Sequence, residues 1–303
     1  MRVLVTGATG FVGKWLVREL EGVGHEVIGA PSSAEIDLTD PGAATRLVEE
    51  SDPDAIAHLA GMAYAPDARA DPDLALRINA GGTKAIVEAI QASRRPIRLL
   101  VTGSSEVYGR PDAADLPLSE SAPLRTDQPY GLSKMAQEAV GVDAASRYGI
   151  PVIVSRAFNH TGPGQRPDFV APALARRVLQ ARATGSHEIA VGNIDVRRDL
   201  GDVRDVVRAY RLLLEIPLGQ PASSATILNV ATGRAVSIRA VLETLCRLAG
   251  FEAEALVDPS LVRPVDPAEI VGDASALRAL TGWKPEIELE RTLSDLLVSI
   301  EAG

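Results

Sequence analysis

Near its amino terminus the chain places a glycine-rich turn between an apolar strand and an amphipathic helix. The apolar run Arg2–Thr6 predicts a strand, and residues 11–20 predict a helix. Gly7, Gly10 and Gly13 form the pattern G-x-x-G-x-x-G at the junction. In such a turn the first glycine allows the tight bend, the second lets the backbone approach a pyrophosphate, and the third lets helix and strand pack closely. The helix start offers amide donors to phosphates. This context predicts a dinucleotide-binding unit.

Strand-like and helical patterns alternate along the first half of the chain. Further strand-like runs occur at residues 25–29, 55–59, 97–102 and 151–155, and helical patterns at 74–92 and 128–148. Such alternation implies a parallel sheet with helices on both faces. We therefore predict an α/β fold: a Rossmann-type doubly wound parallel sheet with a smaller carboxyl-terminal lobe that binds substrate.

The predicted domains follow the point at which this alternation loosens. We assign residues 1–155 to the dinucleotide-binding domain, with return segments at about 188–235. Residues 156–187 and 236–303 are assigned to the substrate-binding lobe.

Composition excludes several classes of protein. The 303 residues carry a net charge of −9, which argues against nonspecific binding to nucleic acid or anionic membranes. The single cysteine, Cys246, lies in an apolar helical pattern typical of a core, and it rules out an intrachain disulfide. The chain has no apolar run of ~20 residues, and its amino terminus does not resemble a secretory signal, so we expect a cytoplasmic protein. The four histidines lack ligand spacing, so we expect no metal site.

Tyr130 and Lys134 stand four residues apart in QPYGLSK. On a helix they share one face. A nearby ammonium favours the phenolate and lowers the phenol pKa from its usual value near ~10. The pair therefore predicts a group that exchanges a proton with a substrate oxygen near neutral pH.

The cofactor preference depends on the end of the second predicted strand. That strand runs into the segment APSS, and the first acids beyond it are Glu35 and Asp37. A carboxylate expected about 20 residues after the glycines, for the ribose hydroxyls, is therefore not cleanly placed. The segment has no arginine for a 2′-phosphate, and Lys14 is only a candidate. The sequence leaves NAD(H) and NADP(H) open, with a slight preference for NADP(H). Asp37 could bond the adenine or cap the following helix.

Several motifs together carry a family resemblance. They are TGATGFVG, DLTD, HLAG, INAGGTKAI, VTGSSEVYG, PYGLSK, RAFNHTGPGQ and RRDLGDVRDVVRAY. In this order they resemble the extended short-chain dehydrogenases/reductases, the NAD-dependent epimerase/dehydratase family. The segments SSExYG, NHTGPGQ and RPVDPAEIVGD resemble in particular the GDP-4-keto-6-deoxy-D-mannose reductases and the GDP-mannose 4,6-dehydratases.

The resemblance implies a catalytic Ser–Tyr–Lys set. Ser104 would bond the reacting sugar oxygen, Tyr130 would exchange the proton, and Lys134 would lower the tyrosine pKa and hold the nicotinamide ribose. A glutamate at the position of Glu106 removes a ring proton in the dehydratases, but the related reductases carry it too. Asn79 matches an asparagine near the active site of the family, although an isolated asparagine is more often a helix cap.

The resemblance also implies two sets of binding residues. Cofactor contacts would come from Gly7, Thr9, Gly10, Phe11, Val12, Gly13, Asp37, Leu38, Leu59, Ala60, Gly61 and Thr102, with Tyr130 and Lys134. Substrate contacts would come from Ser105, Glu106, Asn159, His160, Phe169, Val170, Arg198 and Arg263. The planar arginine fork suits the oxygens of a diphosphate.

The implied activity is NAD(P)H-dependent reduction of a 4-keto-6-deoxy nucleotide-sugar, as in the conversion of GDP-4-keto-6-deoxy-D-mannose to GDP-D-rhamnose. A 4,6-dehydratase or 4-epimerase is the near alternative, although the short chain favours the reductase. A non-catalytic dinucleotide sensor is the alternative of another class, and such proteins typically lack the Tyr/Lys pair. The family implies a homodimer formed by the helix after residue 73 and the Tyr130 helix. It favours a GDP-sugar as the small-molecule partner.

Overall fold

A computed structural model describes residues 1–217, 224–262 and 266–302. Its strands are β1 Arg2–Thr6, β2 Glu26–Gly29, β3 Ala55–His58, β4 Arg98–Thr102, β5 Val152–Ala157, β6 Asn159–Thr161, β7 Glu188–Val191, β8 Arg197–Asp202, β9 Thr226–Val230, β10 Ala235–Ser237, β11 Glu254–Val257 and β12 Glu269–Ile270. Its α-helices are α1 Phe11–Gly22, α2 Pro41–Ser51, α3 Ala65–Ala70, α4 Pro72–Leu76, α5 Gly82–Ser93, α6 Pro129–Tyr148, α7 Val170–Thr184, α8 Val203–Glu215, α9 Ile238–Leu248, α10 Ser275–Thr281 and α11 Leu289–Glu301.

The main sheet is parallel and has the strand order β2-β1-β3-β4-β5-β9. The chain runs outward from β1 to β2 and then returns to β3 on the other side of β1. This reversal creates a switch point at which the carboxyl ends of β1 and β3 leave a crevice, the usual ligand site of open α/β sheets. The predicted Rossmann-type fold is confirmed.

Helices cover both faces of this sheet, so its central strands are buried throughout, as parallel strands usually are. On one face Leu4 and Ile56 pack with Ile86 of α5. On the other face Val5 packs in a cluster that includes Leu213 of α8. The apolar runs that predicted the strands are therefore explained by burial on two sides rather than one.

A second lobe forms beside the carboxyl edge of the sheet. Helices α7, α9 and α11 bury Val178, Leu242 and Leu296 in one cluster, which also holds Cys246, as the sequence predicted. Strand β7 pairs with β11, and β8 pairs with β6, β10 and β12 in a small sheet.

The limits of the return segment differ from the predicted ones. Strands β7 and β8 pair with strands of the second lobe, whereas only α8 and β9 return to the main sheet. Residues 188–202 and 235 therefore lie outside the segment that returns to the main domain. Conversely, Leu277 and Trp283 pack in the core of the main domain, although residues 236–303 were assigned to the other lobe. Short strands carry no sequence signal that says which partner they pair with.

One predicted helix, residues 74–92, is interrupted. A π-turn, Arg77–Gly81, separates α4 from α5. Such single-turn insertions occur frequently at functional sites. The predicted Tyr130 helix, by contrast, is continuous as α6. Within the three described ranges, no helix is both long enough and apolar enough to cross a membrane.

Candidate active site

The glycine turn has the geometry that its spacing predicts. Gly7 has a φ of +69°, and a Cβ there would lie 2.9 Å from the Ala60 nitrogen. A Cβ on Gly13 would lie 2.1 Å from the Gly7 carbonyl oxygen, so only glycine fits. Gly10 caps α1 with ordinary extended backbone, and the contact that a Cβ there would make among the described residues is with the Gly7 oxygen, at 3.1 Å. Thr9 and Gly10 are exposed, which leaves the start of α1 open to an anionic group.

The ends of β1 and β3 form the other wall of the crevice. The Ala60 amide donates to Thr6 Oγ1 at 3.1 Å, and Thr6 Oγ1 lies 2.8 Å from His58 Nδ1. Leu59 and Ala60 are half-buried and Gly61 is exposed. The three predicted cofactor-contact residues of this strand end therefore lie beside the glycine turn.

Asp37 does not cap the following helix. Its carboxylate accepts from Thr39 N and Thr39 Oγ1 at 2.9 and 2.8 Å, and these bonds lower its pKa. Asp40 caps α2 instead, accepting from Gly42 N. Asp37 remains exposed, next to the half-buried Leu38, as a candidate partner for an adenine. Capping was the alternative interpretation of DLTD, and it is wrong because the helix starts at Pro41 rather than at Leu38.

Ser104 and Tyr130 lie together at the end of β4. Ser104 Oγ accepts from the Glu106 amide at 3.2 Å and caps the 3₁₀ turn Ser105–Tyr108. Its hydroxyl also hydrogen-bonds the Tyr130 side chain. Burial raises the pKa of the Tyr130 phenol well above its usual value, and the Ser104 bond opposes that rise only in part. The nearby Glu106, itself exposed, raises this pKa further. The arrangement keeps Tyr130 protonated.

Lys134 is buried one helical turn further along α6. Its Nζ donates to the Thr102 carbonyl oxygen at 2.9 Å and to Gln137 Oε1 at 2.8 Å. Burial lowers the lysine pKa to about 8. Nζ lies 6.0 Å from the centre of the Tyr130 ring, and the expected lowering of the tyrosine pKa by Lys134 is not found: desolvation of the phenol raises that pKa instead. The two side chains do share one face of the helix, as predicted.

Asn79 is fully buried in the π-turn and does not act as a helix cap. Its side chain accepts from Met62 N at 2.9 Å and donates to Ser133 Oγ at 2.8 Å. The Ser133 hydroxyl in turn donates to the Tyr130 carbonyl oxygen at 2.8 Å. Asn79 thus joins the loop after β3 to the first turn of α6. Two adjacent glycines within the predicted helix 74–92, Gly81 and Gly82, were the sequence sign of this interruption.

On the substrate side, two of the predicted residues lie on β6. His160 stacks on Phe11 of α1 with ring centres 6.4 Å apart, and its Nδ1 lies 2.9 Å from the Phe158 carbonyl oxygen. Burial lowers the His160 pKa, so the ring is neutral at pH 7 and donates from Nδ1. Asn159 is exposed beside it. Phe11, predicted to contact cofactor, therefore also joins the two lobes.

Phe169 precedes α7, which begins at Val170. The Phe169 ring packs edge-on against Tyr64 at 5.4 Å, and the Arg166 guanidinium lies 5.4 Å from the centre of the Tyr64 ring. Sequence reasoning did not find Tyr64 or Arg166. The only signal for Tyr64 was its place in the loop that follows β3.

The two predicted diphosphate arginines differ in what the structure shows. Arg198 forms an ion pair with Asp266, and its Nη1 donates to the Pro267 carbonyl oxygen at 2.8 Å. Arg263 lies outside the described residues. Within the described ranges no group of three or more His, Cys, Asp or Glu side chains could hold a metal ion.

Behind the Ser104 turn lies a buried ion pair that the sequence did not reveal. The Arg156 guanidinium contacts both carboxylate oxygens of Glu138, at 2.9 and 2.5 Å. Arg156 also donates to the Tyr108 hydroxyl, which donates to Asn229 Oδ1. These side chains fix the 3₁₀ turn against β5 and β9 and so hold Ser104 in place.

Comparison with known proteins places this geometry in a family. The model of the GDP-mannose 4,6 dehydratase family matches residues 4–296. The chain is 35% identical to the GDP-6-deoxy-D-mannose reductase of Pseudomonas aeruginosa over 302 residues, which is 99% of this chain and 97% of that protein.

Two solved structures share the whole architecture. The structure of RMD from Pseudomonas aeruginosa complexed with NADPH has a TM-score of 0.89 and 34% identity, and the match covers 100% of this chain and 99% of the other. UDP-glucose 4-epimerase from Thermus thermophilus, complexed with NAD, has a TM-score of 0.86 and 28% identity, with 100% of each chain covered.

Proposed function

The chain belongs to the GDP-mannose 4,6 dehydratase family, and on that premise we propose that it is an NAD(P)H-dependent reductase of a 4-keto-6-deoxy nucleotide-sugar. GDP-4-keto-6-deoxy-D-mannose is the favoured substrate. The observation that carries the proposal is the cluster of Ser104, Tyr130 and Lys134 beside the glycine turn, at the switch point of the sheet. The 35% identity to a GDP-6-deoxy-D-mannose reductase supports the choice of reaction.

The residues of the turn fit a dinucleotide. Gly10 and the open start of α1 would hold the pyrophosphate, and Leu59 to Gly61 would line the same crevice. Phe11, Val12, Asp37, Leu38 and Thr102 complete the proposed contacts. When bound, the reduced nicotinamide supplies the hydride for the C4 carbonyl. We propose NADP(H) as the preferred form, because no carboxylate ends β2 and one solved relative binds NADPH.

Side chains of the protein donate the proton and orient the ketone. Tyr130 donates its phenolic proton to the sugar oxygen, and its raised pKa keeps that proton available at neutral pH. Ser104 bonds the same oxygen and aligns it with the phenol. Lys134, charged below a pH of about 8, stabilises negative charge that develops near Tyr130, and it would bond the nicotinamide ribose of a bound cofactor.

The proposed substrate side is formed by the second lobe and by the turn after β4. Asn159, His160, Phe169, Val170 and Arg198 come from the second lobe or its connections. Ser105 and Glu106 come from the turn after β4, and Arg263 would join Arg198 at the diphosphate. The aromatic Tyr64 extends this proposed surface through its contact with Phe169.

A direct assay tests the proposal. With GDP-4-keto-6-deoxymannose and NADPH or NADH, we expect oxidation of one cofactor per ketone reduced, followed by absorbance and by product analysis. The enzyme should purify largely free of cofactor, since a reductase exchanges it in every cycle. No ketone reduction with either cofactor would contradict the proposal and favour a non-catalytic dinucleotide-binding protein.

A 4,6-dehydratase or 4-epimerase is the alternative that Glu106 keeps open. Glu106 is exposed and lies near the Tyr130 phenol, where a ring base would act. A dehydratase would convert GDP-mannose alone into a 4-keto product without net change in cofactor, and Glu106→Gln would stop it. We expect no such product, and only a modest effect of Glu106→Gln on ketone reduction. Accumulation of the 4-keto sugar from GDP-mannose would overturn the reductase assignment.

We also propose that the enzyme is a homodimer that pairs through α5 and α6. Leu132, Ala139 and Val142 are exposed on α6 with the half-buried Met135 beside them, so this helix has an apolar outer side. A second copy of the chain is the occupant that such a side favours. Light scattering should give about twice the chain mass of 31.9 kDa, and a monomer at micromolar concentration would contradict the proposal.

A further inference from the structure

Gln137 is a fully buried polar side chain that the proposed mechanism does not use. It lies on α6 one turn after Lys134 and is closed off from solvent. Its Oε1 accepts from Lys134 Nζ at 2.8 Å, and its Nε2 donates to Thr83 Oγ1 at 3.0 Å. A buried amide with both ends satisfied has one fixed orientation.

The orientation of this amide follows from its neighbours. The Thr83 hydroxyl donates its single proton to the Asn79 carbonyl oxygen at 2.8 Å, so toward Gln137 it can only accept. The amide nitrogen of Gln137 must therefore face Thr83, and the amide oxygen must face Lys134. The π-turn that contains Asn79 thus determines which atom of the Gln137 amide faces Lys134.

Among the described residues, no charged group shifts the pKa of Lys134, which burial lowers. His58 faces it from β3, is fully buried and has its pKa lowered to about 3, so it stays neutral. Tyr130 faces it from α6 and is protonated. The Thr102 carbonyl and the Gln137 amide are the oxygens that hold the ammonium, and both are neutral dipoles.

We propose that Gln137 is a positioning residue, which fixes the place and the charged state of Lys134 for the reaction through an amide oriented by Thr83 and Asn79. The inference deepens the proposed function, since Lys134 is the group through which Gln137 acts. A neutral amide supports the ammonium without neutralising it. The positive charge of Lys134 therefore acts on the crevice. A carboxylate at position 137 would instead neutralise that charge locally.

Two substitutions of similar volume should move the pH dependence in opposite directions. Gln137→Met removes the acceptor, so the pKa of Lys134 falls and its ammonium is lost at lower pH. Gln137→Glu adds a negative charge and raises that pKa. The loss of NADPH affinity at high pH, followed by cofactor fluorescence, should shift down by about one pH unit in the first variant and up by a similar amount in the second.

The turnover of GDP-4-keto-6-deoxymannose should follow the same shifts, with kcat of Gln137→Met reduced roughly fivefold near pH 8 and KM for the sugar little changed. Gln180→Met, the same exchange at an exposed position of α7, is the matched control and should change neither profile. A purely structural role would lower activity equally at every pH. Unmoved profiles in folded Gln137→Met and Gln137→Glu would overturn the inference. A third outcome is that the pH profiles of NADPH binding shift as predicted but no ketone is reduced. That result would support the positioning role of Gln137 and contradict only the proposed function.

Discussion

Replacing Tyr130 with phenylalanine should lower turnover of the 4-keto sugar by a hundredfold or more. The phenol is the proton donor beside Ser104, and general acid–base catalysis contributes roughly 10²–10⁴ in rate. Cofactor affinity should change little, since the ring remains and Lys134 keeps its bonds to Thr102 and Gln137. Steady-state kinetics together with NADPH titration would measure both quantities.

Tyr148→Phe is the matched control for that experiment. Tyr148 ends the same helix and is exposed, so removing its hydroxyl should leave kcat and KM unchanged. Near-normal turnover in folded Tyr130→Phe would contradict the proton-donor role. It would move attention to Ser104 and Glu106, two other polar groups that influence the phenol.

Gly10→Val should abolish binding of the nicotinamide cofactor without unfolding the protein. A Cβ at Gly10 would lie 3.1 Å from the Gly7 oxygen, a contact that a small shift of the turn relieves, and the backbone there suits any residue. The branched side chain would extend over the start of α1, where the pyrophosphate must approach the backbone. Calorimetry or cofactor fluorescence should show no binding, while circular dichroism and the melting temperature stay near those of the parent.

The same substitution at two other glycines of this region separates binding from folding. Gly13→Val should destabilise the fold severely, because its Cβ would lie 2.1 Å from the Gly7 oxygen. Gly22→Val, at the end of α1, should leave both properties intact, because no described residue lies within 4 Å of a Cβ there. Unchanged cofactor affinity in folded Gly10→Val would rule out the glycine turn as the phosphate site.

Residues close in sequence explain why part of the site could be predicted. The strand–turn–helix at Gly7 and the Tyr130–Lys134 pair on one helix are each local, so spacing alone specifies their geometry. The structure agrees in both places, although burial reverses the expected direction of the Tyr130 pKa shift. Desolvation depends on everything packed around a group, which spacing does not describe.

Long-range contacts explain what could not be predicted. Gln137 meets Thr83, and Arg156 meets Tyr108, across 54 and 48 residues of sequence. Tyr64 meets Phe169 between two connections that only the folded chain brings together. The sequence does not show whether a glutamine is buried or exposed, and nothing near position 137 indicates that Gln137 is buried.

The sequence by itself determined the parallel sheet, the glycine turn and the catalytic helix of this protein, because hydrophobic periodicity and backbone sterics act over a few residues. The tertiary structure decided the pairing of β7 and β8, the π-turn at Asn79 and the partners of Lys134 and Arg198. Each of these features depends on residues that are distant in sequence. They bury a polar atom away from water and then supply its hydrogen bonds, so the partners are set only when the whole chain packs.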